Sequence, residues 1–545
     1  MTEHCAVLRA GPSHQGCRRA VSGLSLVLLG VLSVAAGLAG AQQPATGPGQ
    51  TQVGLPEPVG ESKAGPRPNW VITPSISVDG TYTDNVNLAA NKKADFVTRL
   101  SPGIDLDGKS GRASATLNYR WQHYAYAENS ARDNNQRSLA AKGRLELVDD
   151  WLFVEGSQNI SQQAVSAFGT QSVGNELING NRSETAAYSI SPYIQGRLAG
   201  IADYQLRYSG SHTRSDSGVL AGGTAATTRS WTGRLAGATP LASLGWIASI
   251  DQRVIRNTNN SESRSRHAVG TLTYQIDPQL RVLVSAGNES DNFTSALQQK
   301  RTTTGLGVDW APTERTSISL RKDRNSSGNP FSIDFSHRTA LTAWKFSNSR
   351  SISIPTPQLA LVSTGTAYDL LYQQLASSFP DPLARAAEAN RQLARAGIPA
   401  DAPIFGPLLT SQAFVQRRQQ ASVALSGVNN TVILAADRSS SERLGTGLGL
   451  ADDFAGNSNI RQSGFNTSWA HKMTPRDALT LNVRSSRSTG SGNLETSLKA
   501  WSLLLTTQLG ASTSASVGLR QSRFDSTAAT GYDERALTGY LLHRF

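Results

Sequence analysis

The stretch Ala115-Thr116-Leu117-Asn118-Tyr119-Arg120-Trp121-Gln122 alternates without a break. Its odd positions are apolar or aromatic and its even positions polar. Successive side chains of an extended strand point to opposite faces, so one face here suits lipid and the other water. The same pattern sets Leu479, Leu481 and Val483 against Thr480, Asn482 and Arg484, and Tyr204, Leu206 and Tyr208 against Gln205, Arg207 and Ser209. Near the end, Trp501, Leu503 and Leu505 oppose Ser502 and Thr506, with Leu504 breaking the polar side. A soluble sandwich also alternates. The spacing of the turns and the wide polar face decide for a membrane barrel.

Asp149-Asp150, Asp277-Pro278, Ala311-Pro312, Asn429-Asn430 and Thr474-Pro475 each separate two alternating runs by a few residues, as hairpins require. Between these hairpins lie long polar stretches, such as Ser166 to Glu184, Ser211 to Arg229 and Glu442 to Asn459. Short turns on one rim and long loops on the other are the asymmetry of outer-membrane barrels, with the long loops outside. Trp151, Trp246, Trp310, Trp469 and Trp501 fall near strand ends on this map, where an aromatic girdle belongs. The chain therefore predicts an all-β fold, a large antiparallel transmembrane β-barrel over residues 70–545. It has about 22 strands, an even number within roughly 18 to 24. A barrel of that width encloses a channel or a plugged lumen.

The two ends agree. Arg9, Arg18 and Arg19 precede an uncharged run from Ala20 to Ala41 that ends in Ala39-Gly40-Ala41, which reads as a signal peptide over residues 1–41. Leu541-Leu542-His543-Arg544-Phe545 closes the chain as a half-apolar strand with Leu537 and Leu541 on one side and a terminal Phe545. A secreted chain with that ending resembles bacterial outer-membrane barrels, whose last strand is the signal read by the barrel-insertion machinery. The expected location is the bacterial outer membrane, with its lipids as partners. Cys5 and Cys17 both lie in the signal, so the mature chain has no disulfide or cysteine metal site. No later stretch is apolar for long enough to span as a helix, and a membrane protein without spanning helices must close as a barrel.

Two segments break the strand pattern. Residues 42–69 carry six prolines, Pro44 to Pro68, among Gly, Gln and Thr, and read as a flexible periplasmic lead-in. Residues 356–412 contain Asp381-Pro382, an Ala-rich stretch from Leu383 to Ala396 and a stop at Gly397, the marks of a helix. Tyr368, Leu371 and Leu375 share a helical face, so this insert reads as a small helical hairpin, either a loop on the rim or a plug in the lumen.

Trp70, Pro74, Thr83-Asp84-Asn85-Val86, Asp95-Phe96 and Ser101-Pro102-Gly103 resemble the opening of the PEP-CTERM system-associated outer-membrane β-barrel family. Asp381-Pro382, Arg385-Ala386-Ala387, Leu409-Thr410 and Phe414-Val415-Gln416-Arg417-Arg418 are similar to its middle section. The resemblance spans residues 70–545 and implies a Gram-negative protein found with exosortase and exopolysaccharide systems, with exopolysaccharide or its export components as partners. Its motifs are structural, not catalytic.

Chemistry in the chain is sparse. His123, His212, His267, His337, His471 and His543 are scattered, without metal-ligand spacing, and there is no Gly-x-Ser-x-Gly elbow. Gly445-Thr446-Gly447-Leu448-Gly449 lacks the Gly-Lys-Ser/Thr ending of a phosphate loop. No enzyme activity, cofactor or metal is expected. Loss of Glu3, Arg9, Arg18 and Arg19 with the signal takes the net charge from +12 to +10. Arg120, Arg144, Arg197, Arg207, Arg253, Arg321 and Arg484 fall on the polar face of their strands, where they either draw anions into the lumen or pair with wall carboxylates such as Glu146, Asp251 and Asp323. Nucleic acid is not a partner, because the basic residues form no cluster. Three functions remain: a conduit or assembly component for surface polysaccharide, a structural or adhesive barrel that displays its loops, and an outer-membrane enzyme.

Overall fold

The computed structural model describes residues 70–545 except 216–223, 242, 258–261, 294–297, 325–328, 354–412, 445–451 and 455. The signal (1–41), the lead-in (42–69) and the insert (356–412) lie outside the described residues.

The described residues form 22 strands. They are β1 (Trp70–Thr83), β2 (Asp95–Lys109), β3 (Ala113–Tyr126), β4 (Asn134–Val148), β5 (Leu152–Ala164), β6 (Arg182–Leu198), β7 (Ala202–Ser215) and β8 (Thr224–Ala238). Next come β9 (Leu244–Asn257), β10 (Glu262–Asp277), β11 (Leu280–Asp291), β12 (Gln299–Thr313), β13 (Thr316–Arg324), β14 (Phe331–Arg338) and β15 (Thr342–Ser353). The last seven are β16 (Phe414–Ser426), β17 (Asn430–Arg443), β18 (Asn459–Lys472), β19 (Asp477–Thr489), β20 (Glu495–Gln508), β21 (Thr513–Ser526) and β22 (Tyr532–Arg544). Among the described residues the helical content is one 3-10 turn, Ser130–Arg132.

Each strand pairs antiparallel with the next, and β1 closes the sheet on β22 with Val78 opposite Leu541. Closure leaves no unpaired edge, which hydrocarbon requires. The seam is reinforced at the terminus, where the Phe545 amide donates to the Pro74 carbonyl at 3.0 Å.

Alternation sorts the faces. Leu206, Ile250, Leu272, Leu306 and Leu537 are large apolar side chains exposed on the outside, while Ser183, Thr185, Ser191 and Ser211 line the inside. Inner hydroxyls pair across strands, as Ser157 with Ser189 at 2.8 Å and Ser191 with Ser209 at 2.8 Å. The Asp149-Asp150 turn forms as expected. Asp150 takes φ 53°, a left-handed conformation that Asp tolerates, and the Trp151 amide returns to the Val148 carbonyl at 3.1 Å.

Two sequence expectations need correction. Ala311-Pro312 lies inside β12, and the turn follows at Glu314-Arg315. Proline has no amide for the ladder, and the β12–β13 register shifts between Trp310 and Thr313, a local irregularity that accommodates Pro312. Trp501 sits in the middle of β20, where it faces outward opposite Val483, not at a strand end.

Candidate functional site

The inner wall places the seven sequence-predicted arginines in two kinds of surroundings. Arg120 pairs with Asp105 at 2.7 Å, Arg197 with Asp203 at 3.2 Å, Arg207 with Glu155 at 2.6 Å and Arg321 with Asp309 at 2.8 Å. Arg207 also lies 4.0 Å from the Tyr193 ring centre, and Arg144 lies 4.5 Å from that of Phe153. Those two rings stack at 5.0 Å, so two cations and two aromatics form one packed unit. Asp309 is shared, because Arg281 reaches it at 2.8 Å from the other side. Arg253 stands between Ser230 and Ser265, and Arg484 between Asn466 and Ala500. Two of the carboxylates singled out from sequence bond elsewhere. Glu146 accepts the Asp150 amide at 2.5 Å, and Asp251 accepts the Thr232 hydroxyl at 3.2 Å. The partners, Asp105, Glu155, Asp203 and Asp309, share the inner face with their arginines, but only the strand register shows them to be neighbours.

Alternation missed a second feature, a loop that folds across the loop-end mouth. The segment 165–181 between β5 and β6 is tied to itself by Asn181. Its side chain accepts the Ser166 amide at 2.8 Å and donates to the carbonyls of Ser166 and Thr170 at 2.9 and 3.1 Å. The resulting compact loop, with its ends close together, reaches across the mouth. There it meets strands five to eight places away around the wall: Ala167 accepts from the Thr496 hydroxyl of β20 at 3.0 Å, and Gln171 from Tyr532 of β22 at 2.6 Å.

Three apolar clusters hold it. Leu177 packs with Leu88, Leu498, Phe524 and Tyr532, and Ala167 and Phe168 pack with Phe414, Phe454 and Ile460. Ile178 lies against Val86, Val97, Tyr124 and Tyr126. Loop 84–94, loop 165–181 and the described end of loop 444–458 thus share a buried core inside the barrel. Asp453 receives the Ser166 hydroxyl at 2.5 Å and the Ala167 amide at 2.6 Å. Burial raises the Asp453 carboxyl above its ordinary range against these two hydrogen bonds.

The polar anchor is an ion triad. Arg520 reaches Glu176 of the loop at 2.6 Å and Glu534 of the wall at 2.7 Å. Glu534 has no exposed surface and also accepts from Thr83 at 3.1 Å and Ser522 at 2.9 Å. Burial alone would raise the Glu176 carboxyl, but Arg520, with Arg99 beyond it, holds it below the usual range.

Comparison with known proteins bears on class. Residues 57–189, which run into β6, match the family described as Putative beta-barrel porin 2. The chain is a closed β-barrel of the bacterial outer membrane. No curated protein matches it. Among solved structures it is similar to the FrpB iron transporter of Neisseria meningitidis (F5-1 variant, apoprotein form), at 12% identity and a TM-score of 0.48 over 88% of this chain and 82% of that one. Another is a mutant of the ferric enterobactin receptor PfeA of Pseudomonas aeruginosa, at 9% identity and a TM-score of 0.44 over 87% of this chain and 80% of that one. The siderophore receptor PirA of the same organism gives 10% identity and a TM-score of 0.43 over 88% of this chain and 81% of that one.

Proposed function

We propose that the barrel is a non-enzymatic conduit for surface polysaccharide whose mouth is gated by loop 165–181. The observation that carries this reading is the combination of a wall too wide for side chains to fill with a loop anchored across it by one ion triad. A hydroxyl-rich wall supports sugar as cargo, because Ser and Thr both donate and accept toward sugar hydroxyls without a net charge. The polysaccharide assignment, and with it the exosortase setting, rests further on the resemblance at residues 70–103 and 381–418. Ion-paired arginines fit neutral or weakly charged cargo better than a strongly anionic one, since their charge is largely spent on the wall.

A second reading, a sealed barrel that displays its loops, is favoured by the three apolar clusters, which make the mouth a packed core. Planar-bilayer conductance with added neutral oligosaccharides separates the two. A conduit opens intermittently, and oligosaccharides of increasing length block the open current; a barrel that stays ion-tight, including after release of the loop, refutes transport.

A further inference from the structure

The outer wall at the loop end carries a charged surface that the lumen does not use. Strand pairing sets Trp231, Gln252, Arg266, Ser290 and Lys300 in one row across β8 to β12, with Arg229, Val254 and Arg264 in the next row toward the loops. These positions share the outward parity of Ile250 and Leu272, whose side chains face away from the lumen. With Tyr208, Arg256 and Glu262 they border a groove of about 600 Å³.

The charge in this groove is unbalanced. Five outward cations, Arg229, Arg256, Arg264, Arg266 and Lys300, border it with a single carboxylate, Glu262. That carboxylate is already taken by Arg256 at 2.7 Å and by Arg264. Among the described residues no ion pair involves Arg229, Arg266 or Lys300. Further round the rim the cations have neighbours to neutralise them, as Arg487 has Glu495 at 2.8 Å and Arg523 has Asp525 at 3.3 Å.

Height on the wall says what meets the groove. Below Arg266 the outward positions of β10 are Ala268, Gly270, Leu272, Tyr274 and Ile276, all uncharged. Eight steps of about 3.4 Å from Ala268 to Ile276, on a strand tilted by roughly 40°, give about 20 Å of apolar height, close to the hydrocarbon band. The cations therefore stand at the band's upper edge. Tyr208 and Trp231, with ring centres 4.9 Å apart, mark the same level as an interfacial aromatic pair. Since the long loops face outward, this is the headgroup layer of the outer leaflet.

We propose that the groove binds a phosphorylated glycolipid of the outer leaflet, with its phosphates on Arg229, Arg266 and Lys300 and its acyl chains descending over Ile250 and Leu272. Guanidinium forks match phosphate oxygens two at a time, and several unneutralised cations call for more than one phosphate on the same head. A protein partner is the poorer occupant. It would have to bring several carboxylates to this one height in the bilayer and desolvate them there, whereas a lipid of this leaflet already carries its phosphates in that layer.

The test uses the full-length protein, delipidated in neutral detergent and titrated with diphosphoryl lipid A, monophosphoryl lipid A and phosphatidylglycerol, with native mass spectrometry and thermal unfolding as readouts. Diphosphoryl lipid A should bind and raise the melting temperature, at least tenfold more tightly than either of the others. Arg229→Gln/Arg266→Gln/Lys300→Gln should bind it at least tenfold more weakly. Arg315→Gln/Lys472→Gln/Arg476→Gln, with the same charge loss at the turn rim, should bind it as the wild type does. Equal binding of phosphatidylglycerol, equal loss in both triples, or no loss in the groove triple overturns the proposal. A lipid-free dimer that the groove triple splits assigns the face to a protein contact and overturns it as well. If the groove triple does not assemble, Lys300→Glu alone takes its place, with an expected loss of at least threefold; an unchanged affinity refutes the site.

Discussion

Glu176→Gln tests whether loop 165–181 is the gate. The substitution keeps the shape of the side chain and removes the charge that Arg520 holds at 2.6 Å, while the Arg520–Glu534 pair within the wall stays intact. A hydrogen bond to a charged group contributes about 1.5 to 3 kcal/mol, so the undocked population should rise roughly tenfold to a hundredfold. The loop should not fall free altogether. Burial of Leu177 and Phe168 still holds it, each worth about 1.5 to 3 kcal/mol. Arg520→Met should behave differently, because it leaves Glu534 buried without its cation beside a second carboxylate. Removing one partner of such a pair costs about 3 to 5 kcal/mol, here from the wall itself. In planar bilayers Glu176→Gln should raise the frequency of open events, and limited proteolysis should cut within 165–181, with the heat-modified gel shift unchanged. Arg520→Met should lower the temperature of that gel shift. If Glu176→Gln leaves both opening and proteolysis at wild-type levels, the loop is a fixed plug and the gating argument fails.

The same anchor predicts the response to acid. The folded pKa of Glu176 is depressed, so its contribution is complete above the ordinary titration range of glutamate and is lost as pH falls through the lower folded value. Asp453 has the opposite sign. Its folded pKa is raised, so protonation on acidification favours the docked state at that position. Opening should therefore increase only below the normal carboxylate range, and Glu176→Gln should remove most of this dependence.

Other outcomes test the wall and its register. Leu481→Arg, on the outer face between Trp469 and Leu503, should destabilise the barrel by about 2 to 4 kcal/mol if it lies near the bilayer midplane. Asn482→Ala, one residue along and inward, should cost about 1 kcal/mol for the hydrogen bond with Ser468, both read by denaturant unfolding in lipid. Asp309→Asn should release Arg281 and Arg321 together and shift the open pore toward anions in reversal-potential measurements, an effect that fades as salt screens the wall; an unchanged reversal potential would place the conducting path elsewhere. Deleting Phe545 should slow insertion, since it removes both the terminal aromatic and the amide bonded to Pro74 at the closing seam. Assembly kinetics in cells would show it.

The wall was legible because its periodicity is local. Leu117 and Asn118 declare their faces from adjacent positions, and Asp149-Asp150 marks a hairpin from two residues, so strand number and sidedness follow without any knowledge of partners. The ion pairs needed one further step, the register. Arg207 and Glu155 are 52 residues apart, and the parity of each is visible, but their contact is set by how β6 lies between β5 and β7. The mouth was not legible. Ser166 to Glu184 reads as a polar outside loop because its apolar residues, Phe168, Leu177 and Ile178, have no period and bury themselves against Phe454, Phe524 and Val86 from three other parts of the chain.

That difference bears on mechanism. A periodic wall is over-determined, since each strand is held by two full ladders of backbone bonds, so single side-chain changes there adjust selectivity without opening the barrel. The seal hangs on a few contacts of high sequence separation, such as Arg520 with Glu176 across 344 residues, and contacts of that kind can be released locally while the ladders remain. A gate built on this fold is therefore expected where local pattern fails, in the aperiodic loop, and the opening frequency of Glu176→Gln measures how weakly that loop is held relative to the wall around it.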